Sequence, residues 1–279
     1  MITRQHYDWS DGMTKIDEDD EQPRQGKVYL IGAGPGDSEL ITLKGLRYLR
    51  SADVVLYDRL INTELLEETR KGAVHIFVGK GPKQHTMDQE SINTLLITYA
   101  RQGCKVVRLK GGDPCIFGRG GEEAEALVKA DIPFEIVPGV TSAIAVPAYA
   151  GIPVTHREHA SAVTIITGHE STSLTSRQMD WEAVARIGGT LVILMSVKTL
   201  PEFTQRLIAG GLDPELPAAV IQNGTTERQR VITGTLATIA EDAATAGLTA
   251  PATTVIGHVV NLRETLAWYQ TEQCINTTE

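Results

Sequence analysis

The chain has 279 residues, 42% of them hydrophobic, and a formal net charge of −9, so it can bury a substantial core without disulfide staples. Its three cysteines, Cys104, Cys115 and Cys274, are odd in number and lack CxxC spacing, which argues against a disulfide scaffold or a zinc site and fits a reducing cytoplasm. An acidic body with no basic stripe argues against nucleic-acid and anionic-membrane partners, and no apolar stretch reaches signal-peptide or bilayer-spanning length.

Residues 1–26 hold seven acids against three bases with almost no apolar periodicity, and read as a disordered acidic leader. From Lys27 onward short apolar runs alternate with helical patterns: KVYLI, 39–50, ADVVLY, 63–70, AVHIFV, 88–101, KVVRL, 121–130 and FEIVP. Such alternation predicts a mainly parallel sheet with helices on its faces, an N-terminal α/β subdomain over 27–139. Glycine and proline punctuate 138–157, and a second series follows with AVTIIT, TLVILM, PAAVI, RQRVIT and TTVIGHVV. This predicts a second α/β subdomain over 140–265, in which PAAVIQ and QRVITG pair antiparallel, and a tail over 266–279.

Two glycine-rich loops stand out. Gly32-Ala33-Gly34-Pro35-Gly36-Asp37 follows the first strand and precedes a helix expected to open near Ser38 or Glu39, and Asp58 ends the second strand. That placement invites a dinucleotide-binding reading, with a nicotinamide-dependent oxidoreductase as the alternative function. The fingerprint fails, however, because Asp37 stands where its third glycine belongs and Pro35 removes an N–H from the turn. A carboxylate there suits helix capping better than a pyrophosphate.

The second loop, Gly111 to Glu122, ends the fourth strand, so it reaches the same carboxyl edge, where open α/β sheets hold ligands. Asp113 is either a ligand acceptor or a turn residue before Pro114, and Glu122 a cap or an acid/base group. Arg119, set among glycines, suits a carboxylate or phosphate. The basic loop with Lys80, Lys83 and His85, together with His156 and Arg157, would form a local positive basin for a polyanionic substrate. No metal-ligand spacing, Walker A sequence or G-x-S-x-G elbow is present.

Six segments together resemble the tetrapyrrole methylase family: VYLIGAGPGDSELITLKGLRYL, ADVVLYDRL, VGKGPKQH, VVRLKGGDPCIFGRGGEE, VPGVTSAIAVPAYAGIPVTHRE and TGHE. The resemblance implies two α/β subdomains with a cofactor cleft between them, unlike a Rossmann methyltransferase, and S-adenosyl-L-methionine as methyl donor. It implies cofactor contacts at Pro35, Gly111, Gly112, Asp113, Ile116, Thr141, Ser142, Met195 and Gly224, with Ala252 and Thr253 bordering the adenine. Without it, Met195 closing the run TLVILM reads as core. Asp58 and Lys80 match a proton acceptor and a proton donor, and Glu122 an alternative base. Arg119 and Arg157 match residues on the tetrapyrrole carboxylates, with His156 beside them as a further substrate contact.

The implied reaction is methylation of uroporphyrinogen III at C2 and C7, giving precorrin-2 by way of precorrin-1, in sirohaem, cobalamin or haem d1 biosynthesis. S-adenosyl-L-homocysteine is the implied by-product and a cytoplasmic homodimer the implied assembly. Three positions depart from the family pattern: Gly81 replaces a common Arg, Ser38 a frequent Pro, and Cys115 a larger apolar residue.

Overall fold

Apolar strands with no polar alternation demand a sheet covered on both faces, and the first half of the chain builds one. The structure, a computed structural model, describes residues 25–79, 87–168 and 179–269, so most of the leader, the loop carrying Lys80 and His85, and the end of the tail lie outside it. In chain order the first half runs β1 (Lys27–Gly32), α1 (Leu43–Arg50), β2 (Val54–Tyr57), β3 (Val74–Phe77), α2 (Gln89–Arg101), β4 (Lys105–Lys110), α3 (Gly120–Lys129) and β5 (Phe134–Val137). The five strands lie in the order β3-β2-β4-β1-β5, all parallel. Side-chain alternation sends Val54, Leu56, Val28, Leu30 and Val106 to one face, under Ile92 and Leu96 of α2 and Leu127 of α3. Val55, Ile31, Val107 and Leu109 face the other side, against Leu49 of α1 and Leu65. Each such fully buried side chain contributes about 1.5–3 kcal/mol by leaving water.

Two expected helices are shorter than their patterns. Asp37 does cap a turn, its carboxylate accepting from Glu39 N at 2.9 Å, but only a 3₁₀ turn over Ser38–Leu40 results. The helix proper starts one turn later, where the Thr42 hydroxyl accepts from Gly45 N, while Asp37 is held by Tyr149 and Thr225. The pattern at 63–70 yields only a 3₁₀ turn over Thr63–Leu66, capped by Asn62. By contrast α2 begins as expected, with Asp88 accepting from Ser91 N at 2.8 Å and Ile92, Leu96 and Ala100 lining one face.

The second half follows as α4 (Ser142–Tyr149), β6 (Val163–Thr167), α5 (Trp181–Ile187), β7 (Thr190–Leu194), α6 (Leu200–Ala209), β8 (Pro217–Gln222), β9 (Arg230–Thr235), α7 (Ile239–Thr245), β10 (Ala252–Ile256) and α8 (Arg263–Leu266). Its sheet, in the order β6-β7-β10-β8-β9, is mixed: β6 and β7 are parallel, the rest antiparallel, including the β8–β9 pair expected from PAAVIQ and QRVITG. Helices α5, α6 and α7 cover one face through Trp181, Phe203, Leu207 and Ile239. The other face receives α4, with Ala143 against Val192 and Leu194 and Val146 against Ala219, Ile221 and Val255. Helix α4 therefore belongs to the second sheet while its N-terminus abuts the strand ends of the first.

Candidate active site

Three backbones converge where β1, β4 and β5 end. A Cβ on Gly139 would lie 2.3 Å from Gly112 O and 2.6 Å from Gly32 Cα, so only glycine fits. The two glycine-rich loops are zipped together here: Gly112 N donates to Gly34 O at 2.7 Å and Gly34 N returns a bond to Gly112 O at 3.2 Å. Both glycines take the left-handed conformation, at φ 80° and 68°. The ideal Cβ position of Gly112 is 3.6 Å from Ser142 N and 3.8 Å from Thr141 Cα, at the start of α4. Thr141 caps that helix, its hydroxyl accepting from Ala143 N.

The second lobe closes the ring. Gly224, just past β8, packs so tightly on α4 that an added Cβ would sit 2.4 Å from Val146 Cγ1. Gly36 presses on Thr225 and Thr226, and Asp37 N donates to Thr225 Oγ1 at 3.1 Å. Tyr149 at the end of α4 donates its hydroxyl proton to Asp37 Oδ2 at 2.8 Å, and Gln229 joins Thr225 N to Tyr149 O. Thr225, a buried β-branched residue at φ 66°, is strained, as segments held for function often are. Burial and the Asp37 carboxylate push the Tyr149 phenol up to about 12. Sequence reading found Asp37 as a cap but missed Thr225, Tyr149 and Gln229, which carry no motif.

Pro35 and Gly111 adjoin the paired Gly34 and Gly112, Thr141 and Ser142 open α4 beside Gly112, and Gly224 packs on Val146 of the same helix. Met195 follows β7, at φ 55° and 53% exposed, so the core reading of this side chain is corrected: the strand ends at Leu194 and the backbone turns the methionine outward. Thr253 pairs with Leu194 and Ala252 with Gln222, placing the start of β10 between Met195 and the Gly224 turn. Asp113 does the work of a turn residue: Oδ1 accepts from Cys115 N and Ile116 N, and Oδ2 from Gly139 N at 3.0 Å. That carboxylate shapes the loop and presents Ile116, which is 40% exposed.

Three residues beyond Ile116, Arg119 adopts φ 61° immediately before α3, a conformation costing a non-glycine residue about 1–2 kcal/mol. Its guanidinium forks onto Glu122, Nε to Oε1 at 2.8 Å and Nη2 to Oε2 at 2.6 Å, and both side chains are more than half exposed. That bond holds the Glu122 carboxyl below its usual range. Asp58, after β2, is held differently: Oδ1 accepts from Arg108 Nη2 at 2.6 Å, and the side chain stays partly exposed. His156 and Arg157 sit in a separate turn whose His156 Nδ1 accepts from Glu158 N; among the described residues no hydrogen bond or ion pair joins them to Asp58, Arg119 or Glu122. Lys80 lies outside the described residues.

Beneath the site lies a buried ionic cluster that the motif reading passed over. Arg108 and Lys110 of β4 both bind Glu123 Oε1, at 3.0 and 2.9 Å, with all three side chains at most 3% exposed. Burial and the neighbouring Arg108 lower the Lys110 ammonium from its ordinary value. Glu123 and Asp58 outweigh the effect of burial on Arg108 and raise it. The available signal was Arg108 and Lys110 at alternate positions within the run that follows the exposed Lys105, which puts both on one buried face.

The cradle fits an adenosyl sulfonium ligand better than a dinucleotide. Left-handed glycines, the closely abutted strand ends and the N-terminus of α4 offer backbone at close range, whereas the turn after β1 spends its carboxylate on capping and its Asp37 N–H on Thr225. The strand order also places β4 between β2 and β1, unlike the dinucleotide fold. Fold and site thus define a bilobal α/β protein whose two glycine-rich loops meet the second lobe at the start of α4, and the dinucleotide alternative loses its basis.

Comparison with known proteins narrows the class. Residues 27–240 match the family model described as Tetrapyrrole (Corrin/Porphyrin) Methylases, and the chain belongs to that family. It is 54% identical over 246 residues, 88% of its length and 96% of the relative's, to an S-adenosyl-L-methionine-dependent uroporphyrinogen III methyltransferase of Methanosarcina barkeri. It is 49% identical over 249 residues to a siroheme synthase of Thiobacillus denitrificans, covering 89% of this chain but only 52% of that one, so it spans about half the length of such relatives. The uroporphyrin-III C-methyl transferase of Thermus thermophilus solved with S-adenyl homocysteine superposes with a TM-score of 0.73 at 38% identity, over 85% of this chain and 94% of the other.

Proposed function

We propose that this chain is an S-adenosyl-L-methionine-dependent C-methyltransferase that methylates uroporphyrinogen III at C2 and C7, giving precorrin-2 by way of precorrin-1. One observation carries the reading: the loop that zips onto Gly34 through Gly112 runs within a few residues into the Arg119–Glu122 pair, so one segment borders both a donor cradle and an anion-binding surface. When bound, the donor supplies an electrophilic methyl group. Gly111, Gly112, Thr141, Ser142, Met195, Gly224, Ala252 and Thr253 border its cleft.

Arg119 and Arg157 hold the carboxylates of the tetrapyrrole, a role suited to a forked guanidinium. Attack by an electron-rich pyrrole carbon leaves a cationic ring system, which is neutralised when an adjacent bridging carbon loses a proton. Asp58 is the acceptor we favour, because only its Oδ1 is engaged, whereas Arg119 engages both oxygens of Glu122. Glu122 then aims Arg119, and Lys80 is assigned as proton donor from the family pattern alone. A soluble cytoplasmic homodimer completes the reading; among the described residues no helix is long and apolar enough to cross a membrane. The match to half of a siroheme synthase supports a product that feeds sirohaem, with cobalamin and haem d1 as further outlets.

The decisive assay is anaerobic incubation with S-adenosylmethionine and uroporphyrinogen III, followed by mass spectrometry. Two added methyl groups, with two S-adenosylhomocysteines released per tetrapyrrole, are expected. Tight S-adenosylhomocysteine binding without methyl transfer would overturn the substrate assignment.

A further inference from the structure

A buried ion pair is a poor way to stabilise a core, since apolar residues of similar volume commonly serve as well or better. The cluster under this site holds four charges whose formal sum is zero: Arg108, Lys110, Glu123 and Asp58. Its wiring is directional. Arg108 offers Nε to Glu123 on α3 and Nη2 to Asp58 after β2, so one planar guanidinium fixes two carboxylates from separate elements. The same side chain leans on the carbonyls of Leu56 and Leu109, which orients its plane from the strands themselves. Lys110 and Gln89 both donate to Glu123 Oε1, anchoring that carboxylate independently of Arg108. Glu123 is adjacent to Glu122 and lies in the first turn of α3, directly after Arg119. Anchoring it therefore holds the turn that carries the substrate-facing pair.

We propose that Arg108 is a positioning residue for the reaction: it aims the Asp58 carboxylate into the cleft and locks it to the α3 turn that carries Arg119 and Glu122. Asp58 is then the one member of the cluster that reaches solvent, with its side chain 29% exposed while the other three are at most 3%. A lysine at 108 keeps the charge but loses the fork, so it satisfies one carboxylate at a time. The inference rests on Asp58 being the proton acceptor, and the experiment separates the two.

Arg108→Lys, Asp58→Asn, their double variant, and the apolar triple variant Arg108→Met/Lys110→Met/Glu123→Leu are to be compared with the unaltered protein. The readouts are Tm, S-adenosylhomocysteine affinity, and kcat and KM for methyl transfer. Arg108→Lys is expected to stay folded, bind S-adenosylhomocysteine within about twofold, and lose kcat on the order of a hundredfold, the scale of a displaced catalytic group. The triple variant is expected to match or exceed the original Tm while kcat stays low, because burial without charge restores packing but not aim. In the Asp58→Asn background Arg108→Lys should cost almost nothing further, since two residues serving one step are not additive. A folded Arg108→Lys or triple variant with unaltered kcat overturns the inference, as does a change confined to KM. Asp58→Asn at full kcat removes the acceptor assignment and the inference with it; a slow Asp58→Asn beside a fast Arg108→Lys removes the inference alone.

Discussion

Gly139→Ala tests whether close approach of backbone builds the donor cradle. The added Cβ would stand 2.3 Å from Gly112 O and 2.6 Å from Gly32 Cα, both backbone atoms that cannot rotate away. An ordinary carbon–oxygen contact is about 3.3 Å or more, so the ends of β4 and β5 must part by about 1 Å. Overpacking of this kind costs about 1–3 kcal/mol, a fall in Tm of several degrees for a chain of this size. The displaced atom, Gly112 O, is the acceptor for Gly34 N, so the zipper between the two loops opens as well. Weakening of S-adenosylhomocysteine binding by roughly tenfold, about 1.4 kcal/mol, should accompany the stability loss. Gly121→Ala is the matched control: its Cβ would meet nothing within 4 Å, and alanine in a helix should gain up to about 1 kcal/mol. Thermal melts and calorimetric titration read both effects. A Gly139→Ala protein with unaltered Tm and unaltered affinity would refute the reasoning.

Met195→Ala should leave Tm nearly unchanged, within about 0.5 kcal/mol for an exposed side chain, while weakening S-adenosylhomocysteine binding; a loss of 2 kcal/mol or more would return Met195 to the core. Tyr149→Phe removes the bond to Asp37 between the lobes and should cost about 1.5 kcal/mol in denaturant melts, with an unchanged midpoint counting against the latch. Hydrogen bonds from Lys27 and Lys44 hold the Glu135 carboxyl down to about 2, from an ordinary 4.5. Its contribution to stability is therefore complete above pH 4.5 and is lost as pH falls toward 2. Glu135→Gln should flatten that part of the stability–pH curve, and so should molar salt, because the pair is partly exposed; an unaltered slope would contradict the assignment.

What sequence made visible followed from period and composition. Buried-on-both-faces strands, the α2 cap at Asp88 and the antiparallel β8–β9 pair all come from local rules that the tertiary structure obeys. The start of α1 did not, because Asp37 and Thr42 are both competent caps and only the packing of Asp37 against Tyr149 and Thr225 decides between them. Met195 was legible only by resemblance: its hydrophobic neighbours extend the apolar pattern, and a single positive φ, invisible to periodicity, turns it out of the sheet. Gly139 read as punctuation and Gly32 as part of a failed dinucleotide fingerprint, since the reason for both is a contact between residues more than a hundred positions apart.

The strand β4 shows how one short segment serves two ends. Val107 and Leu109 face the α1 side, while Val106, Arg108 and Lys110 face α2 and α3 and Lys105 opens the strand exposed. Placing charges at the last two positions of that face, near the carboxyl edge, puts them under the cleft, where the sheet's own helices seal them from water. A guanidinium at the strand's opposite end could not bridge Asp58 and Glu123, because both carboxylates lie at the edge where β2 ends and α3 begins. The run from Arg108 to Glu122 therefore acts through both of its ends. The strand end holds Asp58 through Arg108, the glycine turn pairs Gly112 with Gly34, and Arg119 precedes the first turn of α3, which Glu123 ties back to Arg108.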